Sequence, residues 1–124
     1  CALEINTLDL AKIGLVLAND GYDPAQQKQL FSKEIARISK ALMLTCGMYN
    51  ASGKYAAFIG VPAKSGVSGG ILAAIPTRHR GKKLPFHQGA GLGIYGPAID
   101  SIGNSVAGTS LLKRVVDAWE LSIF

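Results

Sequence analysis

The stretch Pro62-Ala63-Lys64-Ser65-Gly66-Val67-Ser68-Gly69-Gly70 gathers the groups that could act on a substrate. It sets an ammonium and a hydroxyl beside backbone that glycines leave accessible, just ahead of a segment that reads as a strand. Amides exposed in this way can point at a carbonyl oxygen as it gains negative charge, while the side chains orient the rest of the substrate. The chemistry suggested is acyl transfer. A flexible turn is the plainer reading of the same residues.

Other motifs fail on their neighbours. Gly91-Leu92-Gly93-Ile94-Tyr95-Gly96 has the spacing of a dinucleotide fingerprint. That chemistry requires a helix to open directly after it, so that amides meet a pyrophosphate. Pro97-Ala98-Ile99-Asp100 opens none, and the run reads as a glycine-rich strand. Gly103 to Gly108 followed by Thr109-Ser110 imitates a phosphate loop, with Thr109 where a lysine must reach the β/γ-phosphates. His79 and His87 have no carboxylate or cysteine at ligand spacing, so no metal site is expected. Cys1 and Cys46 form neither a metal pair nor a disulfide framework. Two free thiols fit a reducing, cytoplasmic setting.

The elements that must hold these residues follow from periodicity and capping. Leu10, Ile13 and Leu17 recur at helical spacing within Thr7 to Asn19, with Asn6 or Thr7 as cap and Gly21 and Pro24 as stop. A second helix is predicted after Ser32, with Glu34 in its first turn, Ile35, Ile38 and Leu42 on one face, and Gly47 at its end. Gly21 to Gln29 reads as a polar connection. Three strands are predicted over Lys54 to Gly60, Gly70 to Pro76 and Gly91 to Tyr95, joined as an antiparallel meander because no helix-length crossover separates them. A last helix runs from about Ser105 to Leu121, with Leu112, Val115, Val116 and Trp119 in phase. The fold class is α+β, with the last helix packed on the sheet.

Composition bounds the function. The chain has 124 residues, 48% hydrophobic and 17% charged, which suits one domain or part of one and excludes a disordered or fibrous chain. No apolar run approaches the ~18 residues of a membrane span. Cys1 in the first position is read as a sign that the sequence comes from something longer. The net charge of +5 is concentrated in Arg78, Arg80, Lys82 and Lys83, which leaves the rest of the chain near neutral. These cations lack the interleaved aromatics of a nucleic-acid surface and read as a solvated loop.

Taken with its surroundings, the first stretch resembles a known family. Lys64-Ser65-Gly66 alone is similar to the Lys-Thr/Ser-Gly element of penicillin-recognising serine hydrolases. The blocks Thr45-Cys46-Gly47-Met48-Tyr49-Asn50-Ala51-Ser52-Gly53, Gly60-Val61-Pro62-Ala63-Lys64-Ser65-Gly66-Val67 and Gly103-Asn104-Ser105-Val106-Ala107-Gly108 resemble, in order, the serine-dependent glutaminases. So do Asp9-Leu10-Ala11 and Leu17-Ala18-Asn19-Asp20-Gly21. The resemblance implies the C-terminal part of a single β-lactamase/DD-peptidase-like domain, spanning residues 1–124, with helices packed on an antiparallel sheet. It implies hydrolysis of L-glutamine to L-glutamate and ammonia through a serine acyl-enzyme, without metal or organic cofactor, by a homo-oligomeric enzyme. No nucleic-acid or membrane partner is expected, given the basic run without aromatics and the short apolar runs.

The family nucleophile lies in a Ser-x-x-Lys motif, which this chain does not have at a family-like position. The family's substrate-binding Asn, Glu and Asn residues and one tyrosine would precede Cys1. The 124 residues alone are therefore expected to be inactive. Two positions carry over. Tyr49, after Cys-Gly-Met, matches a tyrosine lining the substrate site near the serine, where a phenol can accept or relay a proton. Val67 matches a valine whose backbone amide contacts substrate and helps form the oxyanion hole. Lys64 and Ser65 would support them from behind. The departure from the family is a longer segment, roughly Thr77 to Gln88, that holds the basic run. A penicillin-recognising hydrolase and a non-catalytic interaction module are the competing readings.

Overall fold

Each long helix starts on a side-chain cap. At α1 (Thr7–Ala18) the Asn6 carboxamide accepts the Asp9 amide at 3.0 Å, and the Asp9 carboxylate accepts the Asn6 amide at 3.1 Å. This reciprocal box satisfies two of the orphan donors of the first turn. Ser32 caps α2 (Lys33–Cys46) by accepting the Ile35 amide at 3.3 Å. Ser105 caps α4 (Val106–Trp119) by accepting the Gly108 amide at 3.1 Å. The computed structural model describes residues 3–77 and 84–124, so the basic run at 78–83 and Cys1 lie outside the described residues.

Between α1 and α2, the connection expected to be simply polar carries a short antiparallel hairpin, β1 (Tyr22–Asp23) with β2 (Lys28–Gln29). The main sheet has the order β3 (Ala63–Ser65), β4 (Gly70–Ile75), β5 (Ala90–Tyr95), antiparallel throughout. The expected meander is present, but its first strand is misplaced in the sequence reading. Lys54 to Gly60 belongs to a helix, α3 (Ser52–Phe58), which follows a 3-10 turn over Tyr49–Ala51. Ser52, Tyr55 and Ile59 bury one side at helical spacing, and the turn nucleates the seven-residue helix, whose brevity hid it. The first strand lies instead in the motif itself, where Lys64 pairs with Leu72.

The sheet alternates faces with period two. Ile71, Ala73 and Ile75 of β4, Ile94 of β5 and Ala63 of β3 face one way and join Tyr55, Ile59, Leu112 and Val116 in the main core. The last helix thus packs on the sheet as expected. Ala74 and Leu72 face the other way, toward Leu17 and Ala18 of α1 and Met43 of α2. On this side Gly91 and Gly93 of β5 lie beneath α1. A methyl group on Gly91 would fall on the Ala11 carbonyl, and one on Gly93 on the Thr7 carbonyl. The apparent dinucleotide fingerprint is therefore a packing device, in which missing side chains let helix backbone reach strand backbone. The α2 stripe of Ile35, Ile38 and Leu42 is about half exposed, and Ala36 and Met43 supply the buried side instead.

Candidate functional site

Gly47 ends α2 by donating its amide to the Met43 carbonyl at 3.1 Å, and its own carbonyl accepts the Ser65 amide at 3.0 Å. That bond ties the Met48–Tyr49 segment to the edge strand of the sheet. Beyond β3 the chain turns through Gly66–Gly69, closed by Gly66 N–H to the Gly70 carbonyl and Gly69 N–H to the Gly66 carbonyl, both 2.9 Å. Val67 sits at the apex, exposed, and no described residue accepts its amide.

Tyr49 and Val67 meet at a third position. A Cβ on Gly103 would lie 3.3 Å from Val67 Cγ1 and 3.6 Å from the Tyr49 ring. Gly103 has φ +104°, which suits a residue without a side chain. Its loop is wound around Asp100, whose Oδ1 accepts the amides of Ile102, Gly103 and Asn104, each at 2.9 Å. These amides, Asn104 foremost, hold the Asp100 carboxyl below its usual range. Asn104 then reaches back, donating from Nδ2 to the Met48 carbonyl at 3.3 Å.

Lys64 stands beside this corner. Its Nζ lies 4.7 Å from the centroid of the Tyr49 ring, within cation–π range, and donates to the Ser65 carbonyl. It also lines an open cleft of about 700 Å³ bounded by Ile5, Thr7, Leu10, Ser65 and Tyr95. Ser65 is 2% exposed, and its hydroxyl has no partner among the described residues. Tyr49, by contrast, is 37% exposed and holds φ +52°, a left-handed conformation that costs a non-glycine residue about 1–3 kcal/mol. Tyr55 is a different kind of tyrosine. Burial raises its phenol pKa above the normal range and keeps it neutral in the core.

Of the four residues proposed from the sequence, Tyr49 and Val67 share the Gly103 corner and Lys64 links the Tyr49 ring to the cleft, while Ser65 is buried in β3. Sequence reading missed Ser52, Gly103 and Asn104 as members, although two resembling blocks contain them. Their contacts join distant segments, which no local spacing shows. Ser110 and Lys113 do have Ser-x-x-Lys spacing. Both are exposed on α4, where Lys113 pairs with Asp117 at 2.5 Å.

An antiparallel sheet with helices on both faces is the α+β arrangement expected of the β-lactamase-like class. The glutaminase family profile matches residues 1–124. Glutaminase 2 of Bacillus cereus is 62% identical over all 124 residues, which cover 38% of its length. A probable glutaminase from Bacillus subtilis complexed with 6-diazo-5-oxo-L-norleucine superposes with a TM-score of 0.93 at 61% identity, over the whole chain and 39% of that structure. A covalent complex between a Bacillus subtilis glutaminase and 5-oxo-L-norleucine, formed by reaction with the 6-diazo compound, gives 0.92 at 61% identity, over the whole chain and 41% of that structure. The chain belongs to the glutaminase family. It spans somewhat over a third of the length of these relatives.

Proposed function

We propose that these residues form the C-terminal part of a single glutaminase catalytic domain that hydrolyses L-glutamine to L-glutamate and ammonia. The observation that carries the reading is the corner itself: a phenol beside a cation, and an unengaged amide at a turn, meeting across Gly103. A serine from a Ser-x-x-Lys pair elsewhere in the domain attacks the side-chain carboxamide. The Val67 amide donates to the oxygen that becomes negative. Tyr49 relays the serine proton toward the leaving nitrogen, the C–N bond breaks and ammonia departs. Water then cleaves the ester to give glutamate and free serine. The covalent norleucine complex of the Bacillus subtilis relative supports a nucleophile in this family.

Ile35, Ile38 and Leu42 on α2 support a remainder of the domain that covers them, since contiguous apolar surface marks a contact. The 124 residues alone would then be inactive. Cytoplasmic residence and homo-oligomeric assembly belong to the same reading and are carried by the family resemblance. The test is Tyr49→Phe in the complete enzyme. Loss of the hydroxyl should lower kcat by about 10²–10⁴-fold, the usual contribution of a proton-transfer group, with KM nearly constant. Near-normal kcat would remove Tyr49 from the site.

A further inference from the structure

The peptide groups on both sides of Tyr49 are held by buried side chains. The carbonyl before it, on Met48, accepts from Asn104 Nδ2 at 3.3 Å across 56 residues of sequence. Its own carbonyl accepts from Ser52 Oγ at 2.7 Å, and that same oxygen accepts the Met48 amide at 3.0 Å. Asn104 is 3% exposed and Ser52 4%, so water hardly competes for these bonds. Two peptide planes fixed in this way set φ and ψ of the residue between them, and hence the direction in which its side chain leaves the backbone.

The arrangement does more than satisfy Asn104. Its Oδ1 has no partner among the described residues, while its amino group goes to the Met48 carbonyl. The Asp100 turn presents it there, and neighbouring Gly103 leaves room for the phenol that the clamp directs. Free rotation of either peptide would let Tyr49 leave its left-handed conformation and swing the ring away from Val67 and Lys64.

We propose that Ser52 and Asn104 are positioning residues for the hydrolysis, gripping the two peptide groups that flank Tyr49 so that its phenol is presented at one angle. The inference rests on the reading of Tyr49 as a substrate-site residue. A double-mutant cycle in kcat of the complete enzyme tests it. Ser52→Ala and Asn104→Ala are each made with Tyr49 intact and again with Tyr49→Phe, and melting temperatures confirm that every variant is folded. With Tyr49 present, each should lower kcat about tenfold or more, a coupling typical of residues in direct contact, with KM within about threefold. In the Tyr49→Phe background the further loss should be below about threefold, because no hydroxyl remains to be aimed.

Equal losses in both backgrounds would overturn the clamp while leaving the role of Tyr49 intact. Normal kcat in both single variants would overturn it as well. Unchanged kcat in Tyr49→Phe alone would instead remove the site reading, and the inference with it. Should Asn104→Ala fail to fold, Asn104→Asp, of the same size but without the donor, replaces it in the cycle; Ser52→Ala decides the matter independently.

Discussion

Gly91 and Gly93 lie under α1, and Gly66 and Gly103 border the Tyr49–Val67 corner. The first pair occupies space that helix backbone needs, so an added methyl would strike the Ala11 or Thr7 carbonyl. Gly66 has nothing nearer than 3.6 Å to such a methyl, and at Gly103 the nearest atoms belong to the two site side chains themselves. One pair is a packing contact; the other leaves room at the proposed site. In sequence the first pair looks the more like chemistry, because its spacing imitates a fingerprint. What a glycine lets approach distinguishes the two regions, and spacing alone does not disclose it.

The comparison can be broken most forcefully at the corner. Val67→Pro deletes the amide and fixes φ, so it should lower kcat/KM for glutamine by about 10²–10³-fold, as removal of an oxyanion donor does. Val67→Ala keeps the amide and should stay within about threefold by the same reasoning. Equal effects of the two in steady-state kinetics would mean that the side chain matters and the amide does not.

On the packing side, Gly93→Ala should act on stability instead. Overpacking costs about 1–3 kcal/mol, or more where backbone must shift. The complete enzyme should therefore melt several degrees lower, with KM unchanged in the folded fraction. Gly66→Ala should leave the melting temperature essentially where it was. A Gly93→Ala enzyme of normal stability would show that α1 does not lie as close to β5 as described.

The smallest effect concerns pH. Asp100 is held below its normal pKa by backbone amides, Asn104 first, so its stabilising contribution is complete above the unfolded carboxylate value, about 3.9, and is lost as pH falls through the lower folded value. The difference in melting temperature between the parent and Asp100→Ala should be largest near neutrality and shrink below about pH 4. A difference constant down to pH 2 would mean that the carboxylate charge does not hold the loop.

The long helices were legible because each carries its own start signal: Asn6 with Asp9, Ser32, and Ser105. The seven residues of α3 were not, since glycines and alanines around Tyr55 fit a short strand equally well and only the buried side decides. Placing Ala63–Ser65 in the sheet required its pairing with β4, a contact that three residues cannot announce. At the corner, the candidates Tyr49, Val67, Lys64 and Ser65 come from resembling blocks. Ser52 and Asn104 were passed over because each looks like an ordinary turn or cap residue until the Met48–Tyr49 backbone is seen between them.

The backbone of Tyr49 has a consequence for anyone improving the protein. At φ +52° a glycine or asparagine would be more comfortable than a tyrosine. A library sorted for heat resistance alone would therefore tend to discard the phenol. On the role proposed for Tyr49, heat and turnover must be selected together, because position 49 then pulls them in opposite directions.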